Sequence, residues 1–89
     1  MKASDYFEKY KERITTQDGV SDLFIEMSKE VGEIAKERKA LTDSASRAIV
    51  QEINQKWNAL CRMFEKEYGR PVLKRNGFLD FWKSKIPNL

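Results

Sequence analysis

The sequence has no histidine and only one cysteine among its 89 residues. The missing histidine removes the commonest general base and the commonest zinc ligand together. With Cys61 alone no internal disulfide can form, and an unpaired thiol fits a reducing compartment. There is also no apolar run long enough to span a membrane, and no secretion signal at the charged amino end. We therefore expect a cytoplasmic protein that binds no cofactor and does not cross a membrane.

Charge is abundant but unevenly distributed. Charged residues make up 35% of the chain, and 17 basic against 14 acidic residues give a net charge of +3. Residues 1–41 carry 8 bases and 9 acids, a net −1, whereas residues 42–89 carry 9 bases and 5 acids, a net +4. Aromatic residues, at 11%, argue against a disordered chain, because disordered segments lack such buriable groups. The length predicts a single domain over residues 1–89.

Hydrophobic periodicity predicts four helices, at about residues 4–15, 21–40, 44–68 and 78–85. Ser4 and Ser21 are the expected caps of the first two, separated by a turn over residues 15–19. Gly69 is expected to end the third helix in a left-handed conformation. That helix has the clearest apolar stripe, formed by Ala45, Ile49, Ile53, Trp57, Leu60 and Phe64. The predicted fold is all-α, an antiparallel hairpin of helices two and three completed to a small three- or four-helix bundle.

The far end of this hairpin, near Leu41, is predicted to be incompletely covered. Helices two and three should extend about 30 and 37 Å, whereas helices one and four, both expected to begin at the open end, reach only about 18 and 12 Å. Ile34, Leu41, Ala45 and Ile49 would then be partly exposed at the tip. Because exposed apolar patches mark interaction sites, we expect Ile34, Leu41 and Ile49 to contact a protein partner or a second copy.

A row of glutamates lies along one edge of helix two, formed by Glu26, Glu30, Glu33 and Glu37. Carboxylates in such a row could bind Mg²⁺, which prefers oxygen ligands. The interpretation we favour is a solvated face, on which Lys29 and Lys36 relieve the repulsion between like charges.

The segment Glu30-Val31-Gly32-Glu33-Ile34-Ala35 resembles the first metal-binding helix of the all-α nucleoside triphosphate pyrophosphohydrolases, the MazG-like family. That family has an E-x-x-E pair followed by E-x-x-D on the next helix. Glu30 and Glu33 match the first pair and Glu52 begins the second, but Gln55 stands where the acid belongs. The resemblance implies a degenerate Mg²⁺-dependent relative that binds a nucleoside triphosphate. The resemblance thus makes weak candidate metal ligands of Glu30, Glu33 and Glu52. Because the second pair is incomplete, we nevertheless expect the protein to bind no metal.

The carboxy-terminal third places basic residues among aromatic ones. Arg70, Lys74, Arg75 and Lys85 could grip a phosphate backbone while neighbouring aromatic rings stack on bases. Aromatic residues at helical spacing are more often core. The interpretation we favour is therefore that Leu79, Trp82 and Ile86 pack on the hairpin.

These features favour a non-catalytic protein, and Cys61 is then a small core residue because no histidine can activate it. We expect a small protein-binding or adaptor protein. Its size and charge are also typical of an accessory protein of a phage or other mobile element. Two alternatives stay open: a basic nucleic-acid-binding accessory protein, and the degenerate pyrophosphohydrolase.

Overall fold

Four helices account for most of the chain in the computed structural model, which describes residues 1–85. They are α1 (Ala3–Tyr10), α2 (Gln17–Glu37), α3 (Asp43–Tyr68) and α4 (Gly77–Lys83), and no strand occurs within those 85 residues. The predicted all-α bundle is confirmed. Ile86, for which we predicted packing on the hairpin, lies outside the described residues.

The longest helix follows its prediction closely. At its start the Thr42 hydroxyl accepts a hydrogen bond from the Ala45 N–H at 3.1 Å. At its end Gly69 adopts the left-handed conformation, with φ 70°, that glycine provides at low cost. An unbroken apolar stripe between two strong caps therefore fixes α3.

The boundaries of α1 and α2 differ from the prediction. Helix α1 ends at Tyr10, and α2 begins at Gln17 instead of Ser21. The reason is Thr16, whose hydroxyl accepts from the Gly19 N–H at 3.0 Å and so converts predicted turn residues into a first helical turn. Helix α2 ends at Glu37, and Lys39 follows in the left-handed region with φ 53°.

Helices α2 and α3 form the predicted antiparallel hairpin, and α1 packs against both. Helix α1 is antiparallel to α2, since its Tyr6 hydroxyl meets Glu30 while its Tyr10 hydroxyl meets Glu26. It therefore ends at the open end of the hairpin, and the prediction that it begins there is wrong. The core is made of residues from all four helices and from the loops beside them: Tyr6, Tyr10, Ile14, Leu23, Met27, Val31, Ile49, Val50, Ile53, Trp57, Leu60, Phe64, Leu73 and Phe78.

The segment after Gly69 folds back along α3 and is held there by polar anchors. The Trp57 indole donates to the Lys74 carbonyl at 2.8 Å. Asn58 accepts from the Asn76 N–H at 2.8 Å, and Asn54 accepts from the Leu79 N–H at 3.1 Å. Helix α4 thus packs on α3, as predicted, and both Leu79 and Trp82 are partly buried against the core. Within residues 1–85 no helix is long and apolar enough to cross a membrane.

Candidate functional site

The hairpin tip is only partly as predicted. Leu41 is 93% exposed and Ile34 is half-buried, but Ile49 is 1% exposed and belongs to the core. The prediction that Ile49 is available to a partner is therefore wrong. The reason is that α2 and α3 bury the residues between them where they face each other, even where no other helix covers them. Beside Leu41 the surface is formed by Ala35 and Ala40 between basic side chains.

The glutamate row divides into two buried or half-buried members and two exposed ones. Glu30 is 8% exposed, whereas Glu33 and Glu37 face solvent. Half-buried Glu26 accepts from the Lys9 ammonium and from the Tyr10 hydroxyl, each at 2.7 Å. The row is therefore not a uniformly solvated face, because part of it is a set of contacts with α1.

Glu30 is the most heavily engaged of these carboxylates. It accepts from the Tyr6 hydroxyl at 2.6 Å, from the Lys56 ammonium, and from the Met1 amine at 3.3 Å. Burial acts to raise the pKa of Glu30, but the hydrogen bonds from Lys56 and Tyr6 and the charge of Lys56 outweigh it and lower the pKa. Burial, together with the hydrogen bond to Glu30 and its negative charge, raises the pKa of Tyr6. Glu30 thus stays ionised and links α1, α2 and α3.

Of the weak candidate metal ligands, Glu30 and Glu33 line one pocket with Glu26, but Glu52 does not join them. Glu52 pairs instead with Arg38, whose two terminal nitrogens donate at 2.9 and 3.2 Å. Glu33 stays exposed, and Glu30 is occupied by cations. Within the described part of the chain, no group of three or more acidic or cysteine residues is arranged to hold a metal ion.

The basic residues proposed for nucleic acid fall into separate places. Lys74 and Arg75 line one cleft beside α3 together with Arg62, which the sequence analysis did not select. Lys85 lies elsewhere, its ammonium 5.5 Å from the centre of the Phe81 ring. Arg70 is exposed in the connecting loop. The structure therefore offers no continuous basic stripe through these four residues.

A groove between α2 and α4 is the feature that sequence reasoning missed. We call it the aromatic groove; it has a volume of about 390 Å³ and is lined by Phe24, Ile25, Ser28, Lys29, Phe81 and Trp82. Ile25 is 51% exposed and Phe81 is 45% exposed. The available signal was the adjacency of Phe81 and Trp82 on a short helix, because neighbouring side chains point about 100° apart and so widen the apolar surface beyond the face on α3.

The wall of the aromatic groove also holds unpaired polar atoms. The Trp82 indole nitrogen and the Ser28 hydroxyl are both buried, and neither has a hydrogen-bond partner within residues 1–85. Buried donors without partners are uncommon in folded proteins, since each one costs free energy. The aromatic groove therefore combines exposed apolar area with unfulfilled hydrogen-bonding capacity.

No protein family model matches the sequence, and neither a curated protein nor a solved structure matches it. The resemblance to the pyrophosphohydrolases accordingly rests on the short glutamate motif alone.

Proposed function

We propose that this is a small, non-catalytic binding protein that acts through a protein partner, with the aromatic groove as its main contact. The observation that carries the proposal is the joint exposure of Ile25 and Phe81, each about half exposed on one continuous apolar surface. Aromatic residues beside an aliphatic one form the kind of surface on which protein partners bind most strongly.

The charges around the aromatic groove favour an acidic partner. Lys29 lines the groove, and Lys85 lies over its Phe81 ring. Neither lysine has a carboxylate within ion-pair distance in the described part of the chain. Opposite charges at the rim of an interface steer association and select partners. The proposed occupant is thus an apolar segment of a partner protein, flanked by Asp or Glu.

Leu41 provides a second and separate apolar surface. It follows α2 at the hairpin tip, while Ile25 lies about 18 Å from the end of that helix. Two apolar surfaces at a distance from each other would allow one chain to bridge two partners, which is the adaptor role predicted from the sequence.

Affinity capture with matched variants tests the proposal. Tagged protein is incubated with nuclease-treated lysate of its native cell as the wild type, as Ile25→Glu and as Leu41→Glu. Both replaced side chains are exposed, so both variants should fold. We expect a stoichiometric protein that Ile25→Glu loses and Leu41→Glu retains. A synthetic peptide of its apolar, acid-flanked segment should change the tryptophan fluorescence of the protein, because Trp82 lines the groove.

The other outcomes contradict this assignment in distinguishable ways. A partner captured equally by both variants rejects both surfaces, and one lost only with Leu41→Glu places the contact at the tip. A mass that rises with concentration in light scattering, and falls for Ile25→Glu, makes a second copy the occupant of the groove. Capture of nucleic acid alone, weakening steeply with salt, favours the nucleic-acid alternative.

A further inference from the structure

A second concave site lies between α3 and the loop that follows it. We call it the basic cleft. It has a volume of about 360 Å³, near the lower end of the range for small-molecule sites. Its lining combines polar and charged residues with an apolar floor: Asn58, Cys61, Arg62, Glu65, Pro71, Leu73, Lys74 and Arg75.

Two of the cations in the basic cleft are unpaired. Arg62 and Arg75 have no ion-pair or hydrogen-bond partner within residues 1–85, although Glu65 lies in the same lining. Lys74, by contrast, is paired with Asp80 at 3.3 Å. An arginine fork without a carboxylate is free to bind an anion through two parallel hydrogen bonds.

Cys61 lies in the lining of the basic cleft with Arg62, Arg75 and Glu65. Burial raises the pKa of Cys61, while the charges of Arg62 and Arg75 act in the opposite direction. The Cys61 thiol donates to the Lys74 carbonyl at 3.7 Å, so it lies against the loop that carries Arg75. An anion lying over Cys61 could be reached from the helix by Arg62 and from the loop by Arg75.

The loop wall of the basic cleft is held in place before any ligand arrives. The Trp57 indole fixes the Lys74 carbonyl at 2.8 Å, and the Asn58 side chain both accepts from and donates to Asn76, at 2.8 and 2.7 Å. Arg75 lies between these two anchored residues in the sequence. Preorganised donors bind more tightly because less freedom is lost on binding.

We infer that the basic cleft binds a small phosphate ester, with its phosphate between Arg62 and Arg75 and its organic group on the floor formed by Pro71 and Leu73. Lys74 is neutralised by Asp80, so Arg62 and Arg75 against Glu65 leave a net charge of +1 in the lining. That charge attracts an anion such as a phosphate monoester, whose charge is about −1.5 to −2. The volume accommodates a ligand of mononucleotide size, and the apolar floor favours one with a flat ring. The phosphate could belong to a free nucleotide or to the end of a nucleic acid strand.

Calorimetric titration tests this inference with three probes: inorganic phosphate, adenosine monophosphate and a 5′-phosphorylated oligonucleotide. Arg62→Gln and Arg75→Gln should each weaken nucleotide binding about tenfold or more, since hydrogen bonds to charged groups are the strong ones. Lys36→Gln is the matched control, because it removes one positive charge at the distant hairpin tip. Alkylation of Cys61 by iodoacetamide, followed by mass spectrometry, should slow when the nucleotide is bound, and this protection should be lost in the arginine variants.

Each result supports or overturns the inference. Equal affinity for inorganic phosphate and nucleotide overturns the role of the apolar floor. If Lys36→Gln and Arg62→Gln weaken nucleotide binding equally, the attraction is diffuse and the site is overturned. The absence of both binding heat and thiol protection with every probe also overturns the site. If the oligonucleotide binds more tightly than the mononucleotide, and the arginine variants lose this binding, the site is supported and the phosphate is that of a nucleic acid end. If the mononucleotide binds more tightly than the oligonucleotide, the phosphate is that of a free nucleotide.

Discussion

Replacing Glu30 with glutamine distinguishes a structural carboxylate from a metal ligand by the sign of its effect. If Glu30 belonged to a row of unpaired carboxylates awaiting Mg²⁺, removing its charge would relieve repulsion and stabilise the metal-free protein. In the structure Glu30 is instead buried against Tyr6 and Lys56. The substitution Glu30→Gln should therefore destabilise the protein in the absence of any metal.

The expected size follows from the contacts that change. Tyr6 donates to one oxygen of Glu30, whereas Lys56 and the Met1 amine donate to the other. The single glutamine oxygen can keep only one of these contacts, because the NH₂ group is a donor and cannot accept from the other side. A hydrogen bond to a charged group contributes about 1.5–3 kcal/mol, so the loss of one such contact gives a loss of about 2 kcal/mol. The Lys56 side chain is 29% exposed and can partly regain hydration, which argues against a larger value. For a domain of this length, that loss lowers the melting temperature by about 8–16 °C.

Thermal and urea unfolding followed by circular dichroism, first with EDTA and then with Mg²⁺, measures the stability of the wild type and of Glu30→Gln. Glu33→Gln is the matched control, because Glu33 lies on the same helix and is exposed; we expect its effect to stay within about 0.5 kcal/mol. A Glu30→Gln variant as stable as the wild type in EDTA would refute the structural role. So would a Mg²⁺-dependent rise in the melting temperature of the wild type that the variant lacks.

Three further effects are expected. Gly19→Ala should destabilise the folded protein by about 1–3 kcal/mol in urea unfolding, because the added Cβ would overlap a backbone carbonyl. Gly32→Ala should stabilise it by about 1 kcal/mol, because the added Cβ meets nothing within 4 Å. Equal effects of the two substitutions would contradict this. Lys39→Gly should stabilise by up to about 1 kcal/mol, since Lys39 has a left-handed φ of 53°, and a loss of stability would refute the reasoning. Burial and the hydrogen bond to Glu26 raise the pKa of Tyr10 to about 12, and the pKa of Tyr6 is raised as well. The stability that these neutral hydroxyls contribute below pH 10 should therefore be lost as the pH rises from about 10 to 12. Tyr10→Phe should flatten this fall in the melting temperature, and an unchanged slope would contradict it.

The accuracy of the sequence predictions depended on how local their physical cause is. Helix α3 could be predicted because its apolar stripe and the Gly69 cap lie within the helix or directly after it. The start of α2 could not, because Thr16 overrides residues that otherwise indicate a turn. Its end was missed for a related reason, since Lys39 occupies a left-handed position where glycine is usual.

The candidate sites were harder to predict because their residues are distant in the sequence. The spacing of the glutamates indicated a carboxylate row, but the partners of Glu30 lie 24 and 26 residues away in Tyr6 and Lys56. The same applies to the basic residues after Gly69. Their spacing alone could not show that Arg62, from α3, joins Arg75 in one cleft while Lys85 does not.

Both proposed binding surfaces depend on one event, the docking of the segment after Gly69 onto α3. Its loop supplies Arg75 to the basic cleft, and α4 supplies Phe81 to the aromatic groove. The docking is fixed by Asn54 and Asn58, one turn apart on α3, both of which donate to the Asn76 side chain, at 3.0 and 2.7 Å. Asn54 is only 6% exposed in the docked structure, so its hydrogen bonds to Asn76 and Leu79 are shielded from water. Loss of this pair of anchors would therefore dismantle both surfaces together, whereas Ile25→Glu or Arg62→Gln should affect only one.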